Sequence, residues 1–69
     1  MDFNINQKVI FQKENQKIEF LCFHKWDSEI KTAWKFYSLQ TDQLAIVEYD
    51  KNTKIITING AFNGKYVED

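Results

Sequence analysis

Apolar and polar residues alternate along most of this chain with a period of two, the pattern of half-buried β-strands. The first such segment, residues 3–12, predicts one strand, and residues 17–26 predict a second. Only Lys13–Gln16 separate the two segments, a length that predicts a β-hairpin. Turn-forming residues recur along the rest of the chain every ten to thirteen residues or so, which favours short strands joined by tight turns.

A second pair of strands is predicted at residues 44–49 and 54–59, around the turn Asp50–Thr53. Both strands are rich in β-branched residues and carry apolar side chains on both faces. Two Asn-Gly pairs follow, and a last short strand is predicted at 65–67. A single sheet would leave its second apolar face exposed, so we expect another element to cover it.

Residues 28–40 fit two different elements. As a helix, Ile30, Ala33, Trp34 and Tyr37 recur at i, i+3, i+4 and i+7 and form one apolar stripe. As a strand, the same aromatic residues have high β-propensity. A helix laid on the sheet would cover the second apolar face, and this consideration favours the helix.

The sequence therefore predicts an α+β fold in a single small domain over residues 1–69. Its small antiparallel sheet has four to five strands, and one helix at about 28–40 packs on it. The alternative is an all-β antiparallel meander or small barrel, in which residues 28–40 form a further strand. The order of the strands stays open.

Composition limits how this domain is stabilised. The chain has 69 residues, of which 43% are hydrophobic and 16% aromatic, enough to build a core. A core of this size supplies only about 3–5 kcal/mol. The single cysteine and single histidine exclude an internal disulfide and a Cys/His zinc set, so we expect no metal and no cofactor. Self-association or docking on a partner remains, and a homo-oligomer is predicted.

The charge balance argues against a dedicated nucleic-acid binder. Net charge is −1 and the pI is about 5.7, whereas such domains often have a pI above ~9. No apolar run reaches the ~18 residues of a membrane span, so we predict a cytoplasmic protein with no membrane contact. Lysine, asparagine and isoleucine are abundant while arginine and proline are absent. That bias is typical of AT-rich genomes and suggests a phage or mobile-element origin.

Two pairs of residues resemble catalytic constellations. Cys22 and His24 lie at i and i+2, so a regular strand places them on one face, where a Cys–His pair can form a thiolate nucleophile. No third orienting group is apparent, and a free cysteine in a strand is usually a small core hydrophobe. Glu48 and Asp50 flank a turn, the ordinary place for solvated carboxylates. We therefore predict that the protein is not an enzyme.

The predicted function is a non-enzymatic protein–protein interaction module, in the form of a small inhibitor or accessory protein. Aromatic residues are common binding anchors, and lysines beside them add polar contacts. The alternative is a small β module in which lysines and aromatics bind nucleic acid; it is not favoured, because acidic residues lie among these lysines. The predicted partner-binding residues are Trp26, Trp34, Phe62, Tyr66, Lys31 and Lys35.

Overall fold

The computed structural model describes residues 2–60 and 65–67. Every regular element in these residues is a β-strand: β1 (Lys8–Lys13), β2 (Gln16–Asp27), β3 (Lys31–Ser38), β4 (Gln43–Asp50), β5 (Ile56–Gly60) and β6 (Lys65–Val67). The strands form one antiparallel sheet in the order β5-β4-β3-β2-β1-β6. The first five strands are thus a meander, and β6 pairs with the outer edge of β1. Among the described residues, none forms a helix of the length and apolarity that a membrane crossing requires.

The helix predicted at about 28–40 is wrong, and the all-β antiparallel alternative is confirmed. Residues Lys31–Ser38 form β3, which pairs with β2 on one side and with β4 on the other. Their burial alternates with a period of two. Pairing on both edges satisfies the backbone N–H and C=O groups of β3, and these long-range bonds override a weak local preference for helix.

One face of the sheet, which we call the inner face, carries the core. Its side chains meet in register across the strands, as Val9 pairs with Phe20 and Phe36 pairs with Ala45. The buried hydrophobic residues are Phe3, Val9, Phe11, Ile18, Phe20, Cys22, Trp34, Phe36, Ala45 and Val47. All of them except Phe3 come from β1 to β4, so the centre of the sheet builds the core.

The sheet must curl around this core, because its two outermost strands are joined by a short connection. Gly60 ends β5 and Lys65 begins β6, and five Cα–Cα steps of 3.8 Å span at most about 19 Å. A flat sheet would separate its first and sixth strands by five spacings of ~4.8 Å, about 24 Å. The curl encloses the inner face and leaves the opposite face, which we call the outer face, toward solvent.

The N-terminal segment closes one side of the core instead of extending β1. The predicted strand at 3–12 begins only at Lys8, because Asn6 has a φ of 71° that breaks the extended backbone. The Asn6 amide donates to the Cys22 carbonyl over 2.7 Å. Phe3 is thereby buried, with its ring 5.1 Å from both Trp34 and Phe36 in edge-to-face contacts.

Both predicted pairs of strands are present, although β1 begins five residues later than predicted and β5 two residues later. Lys13 pairs with Gln16 around a two-residue loop, in which Glu14 has a φ of 55°. At the β4–β5 connection, the Asp50 carboxylate accepts hydrogen bonds from the amides of Asn52 and Thr53 over 2.8 and 3.0 Å. This side chain to backbone pattern is a usual way of stabilising a tight turn.

Candidate functional site

A β-bulge at Phe23 determines which side chains reach the outer face. Cys22 pairs with Phe36, but the next pair along β2 is His24 with Lys35, so Phe23 is an extra residue. Beyond the bulge, His24 therefore lies on the outer face while Cys22 lies on the inner one. The predicted common face for Cys22 and His24 is wrong, because regular alternation does not account for an inserted residue.

The pairing registers place three rows of side chains across β2, β3 and β4 on the outer face. Each row takes one residue from each strand, so its members are direct neighbours. The rows are Trp26–Ala33–Glu48, His24–Lys35–Ile46 and Leu21–Tyr37–Leu44. Charged side chains and Trp26 lie toward one end of this surface, and Leu21, Tyr37 and Leu44 lie at the other.

A shallow groove of about 340 Å³ lies at the charged end, and we call it the mixed groove. Its lining residues are His24, Trp26, Lys31, Ala33, Lys35, Ile46 and Glu48. The Lys31 ammonium is 5.9 Å from the centroid of the Trp26 ring, within the range of a cation–π contact. It also donates to Glu48 Oε2 over 2.7 Å, which holds the Lys31 charge in place beside the ring.

A second depression of about 370 Å³ adjoins the mixed groove, and we call it the apolar patch. It is lined by Leu21, Phe23, Tyr37 and Leu39. Phe23 is 48% exposed and Leu39 is 89% exposed, so the patch offers large apolar side chains to solvent. Regular alternation places Phe23 beside Leu21 on this side of the sheet, and the bulge then brings His24 to the same face.

The structure brings three of the predicted partner-binding residues together and separates the others. Trp26, Lys31 and Lys35 line the mixed groove. Trp34, however, is only 1% exposed and belongs to the core, so it is not part of this surface. For Tyr66 the structure describes the backbone pairing with Phe11, and Phe62 lies outside the described residues.

None of the four residues of the apolar patch was among the predicted partner-binding residues. Tyr37 was assigned to a helix, and Leu39 was assigned no role. The signal that could have found the patch was the apolar second face of the strand carrying Leu21 and Phe23, which requires either a cover or a partner. The structure provides no cover for this face within the described residues, since Phe23 and Leu39 are exposed.

Ion pairs neutralise several lysines at the end of the sheet that carries the mixed groove. Lys25 is 2.6 Å from Asp2, and Lys51 is 2.9 Å from Asp27. The hydrogen bond from Lys25 lowers the pKa of the Asp2 carboxyl below its usual value. The pKa of Asp27 is lowered too, by hydrogen bonds from the Thr32 hydroxyl and then from Lys51.

These pairs weigh against the nucleic-acid alternative, which requires lysines that are free to neutralise phosphates. Lys25 also sits on the inner face, since it pairs in register with Trp34. Lys31 is held by Glu48. Within residues 2–60 and 65–67, Lys35 has no carboxylate at ion-pair distance, so it is the lysine of the mixed groove with a charge still to be matched.

The Cys22 and His24 side chains do not form a nucleophilic pair. Cys22 is buried in the core, where its thiol donates to the His24 backbone carbonyl over 3.7 Å. Burial raises the pKa of this thiol, which disfavours the thiolate. Within the described part of the chain, no three His, Cys, Asp or Glu residues are grouped closely enough to hold a metal ion.

Comparison of the chain with protein-family models, with curated proteins and with solved structures finds no match in any of the three.

Proposed function

We propose that this protein is a non-enzymatic protein–protein interaction module that binds its partner through the outer face of β2 and β3. The observation that carries this proposal is the apolar patch, where large side chains stay exposed although the inner face already provides a packed core. Contiguous exposed apolar surface rimmed by polar residues is characteristic of protein-binding sites.

The makeup of the surface supports the same function. Half-exposed Phe23 and Trp26 lie toward opposite ends of it, with Lys31 and Glu48 near the Trp26 end. Binding energy at protein interfaces is concentrated in a few aromatic and apolar anchors, and a polar rim surrounds them. Burying one such side chain fully contributes about 1.5–3 kcal/mol, so a few anchors together offset part of the entropic cost of association.

The small size of the chain and its amino-acid bias, which is typical of AT-rich genomes, support a narrower version of the proposal. In that version the protein is a small inhibitor or accessory protein of a phage or mobile element and acts in the cytoplasm. Its partner is another protein or a second copy of this chain, and a homodimer would bury the apolar patch against its symmetry mate.

Solution mass and partner capture test this proposal together. Light scattering behind size exclusion over a range of concentrations reports self-association, and a pull-down from cells of the native host reports a different partner. We expect the wild-type protein to form a dimer near twice 8.3 kDa or to capture a host protein at stoichiometric level. A wild-type chain that stays monomeric and captures nothing would contradict the proposal.

Matched variants locate the binding surface. The double variant Phe23→Ser and Leu39→Ser removes the exposed anchors of the apolar patch, and we expect it to lose association. The control is Ile5→Ser with Ile55→Ser, which removes two other exposed apolar side chains that do not line the patch or the mixed groove. Association that survives in the first variant would assign binding to a different surface.

A further inference from the structure

We infer that the outer face selects a protein segment in which a carboxylate lies beside apolar side chains, and that Lys35 receives this carboxylate. The inference rests on the proposed function and adds the chemistry of the partner to it. It follows from the position of one charged residue within an otherwise apolar and neutralised surface.

Lys35 occupies the middle of the outer face. It pairs with His24 on β2 and with Ile46 on β4, and Tyr37 of the apolar patch is its next neighbour on the same face of β3. Side chains two residues apart on a strand are about 7 Å from each other. A partner that covers the apolar patch and extends toward Trp26 therefore also covers Lys35.

The carboxylate in the adjacent row of the outer face already has partners. Glu48 lies one row away and accepts from Lys31 over 2.7 Å and from the Asn59 amide over 3.3 Å. Within the described residues, the Lys35 ammonium has no carboxylate partner, so water solvates its charge. Docking removes that solvent, and a desolvated ammonium is strongly unfavourable unless an anion pairs with it.

Charge complementarity therefore specifies an acidic and apolar partner. A carboxylate positioned about 7 Å from an apolar anchor would pair with Lys35 while the anchor fills the apolar patch. A neutral apolar segment would leave Lys35 buried and unpaired. A second copy stacked about a two-fold axis through the middle row would bring two Lys35 ammonium groups together, so this surface favours a different protein.

Selection from a random peptide display library tests the inference with a defined probe. Peptides of about twelve residues span roughly 40 Å when extended, so they can cover the whole surface. We expect the selected peptides to be enriched in Asp or Glu within a few residues of Leu, Phe or Trp. Replacing that carboxylate by its amide in a selected peptide should weaken binding by about ten- to hundredfold, the effect of losing one charge-assisted bond.

Lys35→Gln is the critical variant, and Lys13→Gln is its control. Both change net charge by the same amount, but Lys13 lies at the far end of β1 and outside the mixed groove. We expect Lys35→Gln to lose the same tenfold or more in affinity and to bind the acidic and amide peptides equally, while Lys13→Gln behaves as the wild type. An unchanged unfolding midpoint in both variants confirms that each is folded.

The remaining outcomes separate this inference from the proposed function. If the Phe23→Ser and Leu39→Ser variant loses the peptides but Lys35→Gln keeps them, the binding surface stands and the carboxylate requirement is wrong. If no peptide depends on the apolar patch, both are wrong. Enrichment without acidic residues, or a wild-type dimer that Phe23→Ser and Leu39→Ser dissociate, would also overturn the inference.

Discussion

Cys22 and His24 are two residues apart on β2 and yet lie on opposite faces of the sheet. Cys22 packs in the core, whereas His24 lines the mixed groove beside Lys35. The bulge at Phe23 separates them, because it inserts one residue against the partner strand and reverses the alternation. The same bulge places Trp26 on the outer face, so one inserted residue both separates Cys22 from His24 and brings Trp26 to the mixed groove.

Deletion of Phe23 is expected to leave the protein folded. Because Phe23 is the extra residue of the bulge, its removal restores a regular β2 and keeps every later residue on its present face. We expect the free energy of unfolding to change by about 1 kcal/mol, the typical size of the effect of a point mutation. Chemical denaturation monitored by circular dichroism measures this change.

Deletion of Ile46 is the matched control for the bulge. Its strand, β4, pairs regularly with β3 along its whole length, so no extra residue is present to absorb the deletion. The loss of one residue there moves all side chains on one side of it to the wrong face, and we expect the chain not to fold. Equal stability of the two deletion variants would show that the bulge does not set the register.

Phe3→Ala is expected to unfold most of the protein. Phe3 is buried against the rings of Trp34 and Phe36, and truncation of a buried phenylalanine costs about 3–5 kcal/mol. That loss is comparable to the whole stability of a domain of this size. Tryptophan fluorescence should shift to longer wavelength as Trp34 becomes exposed, and the urea midpoint should fall to near zero.

Ile5→Ala provides the comparison for Phe3. Ile5 lies in the same N-terminal segment but is exposed, so its truncation should change stability by no more than about 0.5 kcal/mol. Similar losses in the two variants would mean that the N-terminal segment does not close the core through Phe3.

The Cys22 thiol is expected to be inert in the folded protein. It is fully buried, and burial raises its pKa, so both access and thiolate formation are suppressed. Alkylation by iodoacetamide near neutral pH should be slow without denaturant and should accelerate with urea in proportion to the unfolded fraction. Rapid alkylation of the native protein would contradict the buried position of Cys22. It would also support a role of the thiol as a nucleophile.

Stability is expected to fall at acidic pH because of three aspartates. The pKa values of Asp2, Asp27 and Asp50 are lowered in the folded protein, mainly by hydrogen bonds from Lys25, from Thr32 and from the Thr53 amide respectively. Since the folded state binds these protons less readily than the unfolded state, the contribution of these three carboxylates to stability is fully present well above the ordinary aspartate pKa of about 3.9. It decreases as the pH falls below that value.

Denaturant midpoints between pH 7 and pH 2 measure this dependence, and Asp50→Ala tests its source. The variant should be less stable than the wild type at neutral pH, because the Asn52 and Thr53 amides lose their acceptor. The difference should shrink as the pH falls, since protonation weakens the same bonds in the wild type. Glu29→Ala, which removes an exposed loop carboxylate outside this turn, is the control for the loss of one negative charge.

Local patterns predicted much of the sheet correctly. The Lys13–Gln16 hairpin, the pair of strands around Asp50 and the short strand at 65–67 are all present. The patterns misassigned residues 28–40, because the helical stripe there combined residues of both strand faces, such as Ala33 on the outer face and Trp34 on the inner one. Secondary-structure propensity is a weak guide for a segment that can form hydrogen bonds with a strand on each side.

The candidate site was predictable only in part. Trp26, Lys31 and Lys35 were proposed as binding residues and do meet in one groove. Trp34 was proposed with them but is buried, since its partner in β2 is Lys25 on the inner face. Residue type alone does not tell whether an aromatic side chain belongs to the core or to the surface. Only the register of strand pairing assigned Trp34 to the core and Trp26 to the mixed groove.

The sequence by itself determined where the strands of the two hairpins lie, because period-two patterning and turn residues act locally. The tertiary structure alone decided that residues 31–38 are a strand, that Phe3 closes the core and that the Phe23 bulge reverses β2. These three features depend on hydrogen bonds and contacts between residues far apart in the chain. Their energies are set by the partner strands and rings, so they cannot be read from any one segment.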